Sequence, residues 1–414
     1  MGHRVVVTGL GLVTPLANSR DESWAALLAG RSGAGPITKF DASRLHIRFA
    51  CEVKQFDPLA TMDRKEAKRM DLFAQFAMAA THEAMTQAGL TAGVPAPERT
   101  GVIIGSGIGG IATFEEQCRL SIEKGPDRVS PFFVPMFIPD IAAGLVSIRY
   151  GLKGPNFCTV SACASSAHAI GESYKLIRDG VADAMVTGGA EAAITLLAVA
   201  GFQNMKALSS RNDAPEKASR PFDKDRDGFV LGDGGAIVVL ESLEHARARG
   251  ADIIGEVVGY GLSGDAYHMT SPAPEGEGAQ RAMRACLEDG GIAPSEVQYV
   301  NAHGTSTQLG DIAETQAVKK VFGPHARKLV FGSTKSMTGH LLGAAGALEF
   351  GICALVTRDG VIPPTINQDH ADPECDLNCA PNTRLAHPVE IAVSNSFGFG
   401  GHNVSLAVKK WTGD

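Results

Sequence analysis

The chain has 414 residues, 44% of them hydrophobic and 20% charged, a composition that excludes a disordered polymer and allows one large layered domain or two fused smaller ones. Its formal net charge of −7 argues against nucleic acid as the main ligand, because phosphate binding needs a positive surface, and leaves only a local basic patch open. Eight dispersed cysteines exclude a disulfide scaffold, the opening "MGHRVVVTGLG" has no signal-peptide core and no apolar run reaches the roughly 20 residues of a membrane span, so a soluble, cytoplasmic protein is expected.

In chain order, "RVVVTG" reads as a buried strand and "DRKEAKRMD" (63–71) as a charged helix with Arg64, Lys65, Lys68 and Arg69 along one side. "DLFAQFAMAATHEAMTQAG" follows as an apolar helix and "TGVIIGSG" as a strand. "TVSACASSAHAIGESYKL" (159–176) starts strand-like and turns into a helix on which Ala167, Ile170, Tyr174 and Ile177 recur at helical spacing, before "RDG" ends it. "DAMVTGGA", "AIVVLES" and "LVFGST" are further strands, and the alternation predicts an α/β fold with helix-covered sheets.

One internal echo stands out. "GFVLGDGGAIVVLE" (228–241) and "SFGFGGHNVSLAVKK" (396–410) both run from Phe through a glycine-rich turn into an apolar strand. "RVVVTGLGLVTP" and "DIIGEVVGYGLS" open the two stretches that these close, which suggests a duplicated α/β unit divided as residues 1–251 and 252–414. No linker separates the halves, so they are expected to pack as one body.

Cys163 falls at the start of the helix in 159–176, where unpaired N–H groups and the helix dipole favour thiolate over thiol. Its neighbours Ser161, Ala162, Ala164, Ser165 and Ser166 are small and leave room for an acyl group. A lone cysteine is more often a packing thiol, but two histidines shift the balance. His303 in "YVNAHGTSTQLGD" and His340 in "GSTKSMTGHLLGAAGALEFG" each lie in a glycine-rich turn, with a strand expected before and a helix after. The pair Cys375 and Cys379 near His370 has metal-like spacing but no second pair to complete a zinc site, and reads as ordinary thiols.

"SAC" (161–163), "NAHGTST" (301–307), "STKSMTGHLLGAAGALE" (333–349) and "NSFGFGGHN" (395–403) resemble the signature blocks of the β-ketoacyl-acyl carrier protein synthases, the condensing enzymes of fatty acid elongation. "GSGIGG", "SPFFVP", "ASRPFDKDRDGFVLGDG" and "DAYHMTSP" extend the resemblance over nearly the whole chain, and "GIGG" with "DAYHMTSP" favours the elongating type II branch, although "SACASSAHAIG" leans towards type I. The resemblance implies a thiolase-type fold, two pseudo-symmetric halves in a five-layered αβαβα arrangement, working as a homodimer without a cofactor or metal.

It also implies roles. Cys163 would take the acyl chain, His303 and His340 would support malonyl decarboxylation, and Lys335 paired with Glu349 would tune the site. For Glu349 the apolar run "GAAGALEFG" independently suggests a buried, paired carboxylate. The backbone N–H groups of Cys163 and Phe399 would form an oxyanion hole, Phe399 would gate the acyl pocket, and Ile108 and Phe202 would line it. An acyl carrier protein, itself acidic, would dock on Arg64, Lys65, Lys68 and Arg69, extended by Lys124, Arg128 and Lys206. Gln308, Ser166 and His402 depart from the usual family residues and bear on loop stiffness and substrate preference. A polyketide ketosynthase shares the Cys-His-His set and differs in substrate, whereas a non-catalytic chain-length factor would lack the cysteine.

Overall fold

A computed structural model describes residues 2–413. Its centre is a ten-stranded sheet: β1 (Val5–Val13), β2 (Thr100–Gly105), β3 (Asn156–Phe157), β4 (Ala184–Glu191), β5 (Gly234–Ser242), β6 (Gly255–Gly264), β7 (Tyr299–Asn301), β8 (Val330–Gly332), β9 (Ile391–Gly398) and β10 (His402–Lys410). The spatial order is β8-β7-β9-β10-β6-β1-β5-β4-β2-β3. Read outward from the middle, the two halves have the same order. In each, the first strand pairs antiparallel with the fifth, the fifth antiparallel with the fourth, and the fourth, second and third run parallel.

The echo between 228–241 and 396–410 thus marks equivalent strands, β5 and β10. The half-sheets join where β1 pairs antiparallel with β6, Val5 opposite Val257 and Val7 opposite Gly255. The five strand-like runs read from the sequence all lie in this sheet.

Helices supply the other three layers. On the outside of the first half lies α1 (Leu72–Gln87), started by Asp71, whose carboxylate accepts the N–H of Phe73. Between the halves lie α2 (Ser165–Arg178) and, later in the chain, α5 (Ala345–Asp359). Outside the second half lie α3 (Glu277–Gly290) and α4 (Gln308–Phe322). The layers are therefore α1, first half-sheet, α2 with α5, second half-sheet, α3 with α4, which is the five-layered arrangement expected.

Burial follows the layer. Helix α3 hides one stripe, Ala279, Ala282, Met283, Cys286 and Leu287, and wets the other. Helix α5 is buried on every side from Ala345 to Thr357, as a helix between two sheets must be. Its small residues let α2 and both half-sheets approach. Ser166 on α2 joins in, its Oγ accepting the N–H of Ala347 at 2.9 Å. Cys375 and Cys379 are buried in the apolar cluster of the second half, while His370 is exposed with Nδ1 2.6 Å from an Asp225 oxygen, so the thiols pack the core rather than join that histidine. Among the described residues no helix is long and apolar enough to cross a membrane.

One buried carboxylate ties the first half together. Glu241 on β5 accepts hydrogen bonds from Thr8 of β1, from Arg249 and from His245. Burial pushes its carboxyl up, but Arg249, His245 and Thr8 outweigh that and hold it at about 2. A carboxyl depressed in the folded state stabilises fully above its unfolded value and loses that contribution as pH falls towards the folded one. Glu241→Gln is therefore expected to cost about 3 kcal/mol at neutral pH, with the difference from wild type shrinking below about pH 4.5, as measured by denaturant unfolding across that range.

Candidate active site

Cys163 sits in a single 3-10 turn, Ala162–Ala164, that runs directly into α2. Ala162 takes the left-handed φ of +50° that re-aims the chain at the end of the approach from β3. Ser165 pins the turn from inside, its Oγ donating to Ala162 O at 2.6 Å and accepting the Ser161 N–H at 2.9 Å. The expected helix N-terminus is therefore present.

The expected thiolate is not. Burial pushes the Cys163 thiol up to about 12, against the pull of Lys335 and of two backbone N–H groups, those of Phe399 and Cys163 itself, that point at the sulfur. Desolvation outweighs the dipole in this closed environment, so the resting group is the thiol.

Two imidazoles face the sulfur. The sulfur and one nitrogen each of His303 and His340 lie within 4.8 Å of one another, and the two imidazoles meet edge to face with centroids 5.2 Å apart. His303 follows β7 in a loop whose N–H groups at His303 and Gly304 donate to Glu314 of α4 at 2.9 and 2.8 Å. Arg226 holds the same loop further on, donating to Thr307 O at 3.1 Å and Gln308 O at 2.9 Å. Gln308 is exposed at the start of α4 and adds its carbonyl to this anchor.

His340 was expected just past a strand and at the start of a helix. A short helix, Lys335–Thr338, intervenes between β8 and the histidine, and the residue is held instead by its backbone, donating to Val230 O at 2.7 Å and accepting from Gly232 N–H at 2.9 Å. Burial first, and then the Lys335 charge, hold both imidazoles well below their ordinary value, so both are neutral near pH 7. Lys335 itself is buried and paired with Glu349 of α5. Burial pushes the Glu349 carboxyl up to about 7 in spite of that lysine.

Cys163, His303 and His340 line a cavity of about 690 Å³, mostly apolar, which Ile108, Phe202 and Phe399 also line. Ile108 and Phe202 pack with Cys163 and Leu342 in one apolar cluster. Phe399 occupies the turn between β9 and β10, followed by Gly400 and Gly401 with φ of +89° and +76°. Gly398 lies so close to the cysteine turn that a Cβ would fall 2.6 Å from Ser161 O and 3.2 Å from Cys163 N, so only glycine brings the Phe399 N–H to the sulfur. His402, exposed at the start of β10, flanks the same turn.

The basic residues are less uniform. Arg64, Lys65, Lys68, Arg69, Lys124 and Arg128 are all exposed, and Lys206 lies at the cavity mouth. The helix expected for the first four covers only Arg64–Ala67, because Lys68 caps it, and the Arg69 guanidinium stacks on Phe132 at 4.5 Å. They make a basic surface rather than one helical stripe.

Cys163, His303 and His340 also have the composition of a zinc ligand set, but a sulfur held by a metal would not be free to attack. Asp223, Asp225 and His370 form a second compact group, in which Asp223 is already saturated by Arg220 Nε and the N–H groups of Asp225, Asp369 and His370.

The chain matches the family models described as the beta-ketoacyl synthase N-terminal domain over residues 2–246 and the C-terminal domain over residues 254–369. It belongs to the beta-ketoacyl synthase family. A 3-oxoacyl-acyl-carrier-protein synthase 2 from Synechocystis sp. is 53% identical to this synthase over 99% of the chain and 98% of its own length. Among solved structures, an ishigamide ketosynthase/chain length factor is 34% identical with a TM-score of 0.93, each chain fully covered. A type II polyketide ketosynthase, in complex with its acyl-carrier protein and bound to the hexaketide, is 35% identical with a TM-score of 0.91, covering 99% of this chain and all of its own.

Sequence reading overlooked the carboxylates that hold the loops, Glu191, Asp311 and Glu314, and the cation Arg226. For Glu191 a signal was present: it stands in "GGAEAAI", the same setting of small residues from which the burial of Glu349 was read. Asp311, Glu314 and Arg226 lie among other polar residues and give no such sign.

With both imidazoles held neutral by burial, neither His303 nor His340 is expected to titrate between about pH 6 and 8. Ring resonances of histidine-labelled protein followed through that interval would test this, and an inflection near 6.5 assigned to either residue would contradict it.

Proposed function

We propose that this synthase elongates acyl chains in fatty acid synthesis by decarboxylating condensation, joining an acyl group to malonyl-carrier protein through an acyl-Cys163 intermediate. The convergence of one thiol and two neutral imidazoles on the floor of an apolar cavity carries the reading. Cys163 attacks the acyl thioester as its proton passes to an imidazole, and the carrier thiol leaves. Malonyl-carrier protein then enters and loses carbon dioxide.

Decarboxylation puts negative charge on the thioester oxygen. His303 and His340, being neutral, donate hydrogen bonds to it, a task for which a protonated imidazole is not needed. The enolate carbon attacks the acyl-cysteine carbonyl, whose oxygen is received by the N–H groups of Cys163 and Phe399, and the sulfur departs. Each such donor is worth roughly 3 kcal/mol to the transition state. Lys335, balanced by Glu349, supplies a positive charge that adds to burial in keeping the imidazoles neutral and favours sulfur anion when it forms.

Ile108 and Phe202 bound the acyl chain and Phe399 gates it. The division into halves at residues 251 and 252, the homodimer and the cytoplasmic location belong to the same reading. The ketosynthase seen with its acyl-carrier protein supports a carrier-protein partner here, docked on the surface of Arg64, Lys65, Lys68, Arg69, Lys124, Arg128 and Lys206. That relative also keeps a polyketide role in view, but identity to the 3-oxoacyl synthase is 53% against 35%. Cys163 argues against a chain-length factor.

Cys163→Ala is expected to lower condensation by at least about a thousandfold while malonyl decarboxylation continues, read as β-ketoacyl product and released carbon dioxide in parallel. Condensation at the wild-type rate would remove the nucleophile from Cys163. Reversing Lys65 and Lys68 to Glu is expected to weaken carrier-protein binding by about tenfold at low ionic strength and by less as salt is added; titration at two salt concentrations measures this, and equal affinities would exclude the patch.

A further inference from the structure

Glu191 is the last residue of β4 and is fully buried, yet among the described residues no cation pairs with it. Every contact it makes is with a donor: Ser106 Oγ at 2.9 Å and Ile108 N–H at 3.1 Å on one oxygen, Gly107 N–H at 2.7 Å and Gly343 N–H at 3.0 Å on the other. Three of these lie in the loop after β2 that carries Ile108. The fourth lies in the turn before α5, beside Leu342. One carboxylate thus joins a loop of the first half to a turn of the second, and the two neighbours it fastens, Ile108 and Leu342, both line the cavity above Cys163.

The internal duplication sharpens what this contact is. Leu342–Ala344 is a 3-10 turn leading into α5, as Ala162–Ala164 leads into α2, and Leu342 takes a φ of +47° where Ala162 takes +50°. Gly343 therefore holds the place in its turn that Cys163 holds in the other. The strand ends correspond too: Gly398 closes β9 against the Cys163 turn, and Glu191 closes β4 against the Gly343 turn. In the first site a sulfur and two N–H groups face the cavity. In the second, the anion-binding turn is filled by the protein's own carboxylate.

The fit is tight. A Cβ on Gly343 would fall 2.3 Å from Gly107 N and 2.6 Å from Glu191 Oε2, so the loop and the turn meet backbone to backbone around the carboxylate.

We propose that Glu191 is a specificity-determining positioning residue, a carboxylate clamp that sets the depth of the acyl cavity by fixing Ile108 and Leu342 relative to Cys163. The inference rests on the reading of this cavity as the acyl site. It differs from a merely structural role because Glu191 touches no substrate and acts on chain length through the two residues it holds. Whichever way its amide lies, glutamine in its place turns an NH₂ group towards at least one backbone N–H, which has no lone pair to offer, so at least one arm of the clamp opens.

The test measures acyl-enzyme formation by mass spectrometry from a panel of acyl-carrier proteins of increasing chain length, in wild type and Glu191→Gln. Condensation with malonyl-carrier protein is assayed separately in wild type. The variant is expected to gain on long donors relative to short ones by about tenfold, the scale on which a hydrophobic pocket distinguishes chains differing by a methylene or two. A profile of unchanged shape, whether or not the absolute rates fall, would overturn the clamp. Wild type that forms acyl-enzyme but does not condense would instead overturn the proposed reaction and leave the chain-length comparison standing. Should Glu191→Gln fail to fold, Ser106→Ala removes a single donor and is expected to shift the profile in the same direction by a smaller factor, with an unchanged profile again decisive against the proposal.

Discussion

Two helices of small residues, α2 and α5, lie back to back between the half-sheets, and the site depends on how closely they pack. Each begins with a 3-10 turn whose first residue has a positive φ, and each turn sits at the same end of its helix. Ser166, whose Oγ accepts the N–H of Ala347, and the glycine at 346, where a Cβ would meet Ala167, allow an approach that larger side chains would block. Because the helices belong to different halves, their packing is what brings the cysteine of one half to the histidines of the other. Separate folding of either half would leave the thiol without the imidazoles that face it.

This arrangement places charge where water is scarce, and the electrostatics follow from that. Lys335 and Glu349 are buried together, a pair whose desolvation is costly and whose separation is costlier. The surplus field of Lys335 acts on neighbours that burial has already made neutral. It pushes His303 and His340 further from protonation and pulls the thiol down from the value burial alone would give. Desolvation of the buried sulfur outweighs the backbone N–H groups that the helix start supplies.

The same low dielectric explains why so many carboxylates hold backbone N–H groups here. Glu314 fixes the His303 loop, Asp311 receives the N–H groups of Phe222 and Ser306, and Glu191 gathers three N–H groups and a hydroxyl. In water such bonds contribute little; inside the protein they keep loops of unusual backbone conformation in one geometry. Ser306, with a φ of +71°, lies within this framework, as does the Arg226 that ties down Thr307 and Gln308.

The sequence by itself determined the strands and the buried helices, suggested the duplication and singled out candidate reactive groups. Hydrophobic periodicity and glycine placement are local properties, so "DLFAQFAMAATHEAMTQAG" and "AIVVLES" declare their structures without help from distant residues. Cys163, His303, His340, Lys335 and Glu349 were legible because their types are rare in such settings or because the family blocks carry them. What only the tertiary structure decided is everything that depends on distance and solvent: that sulfur and imidazoles come within 4.8 Å, that burial favours the thiol over the thiolate, that the basic helix is one turn long, and that Glu191 bridges the halves. A pKa and a hydrogen bond between residues 152 positions apart are set by the surrounding field and packing, and no window of sequence contains those.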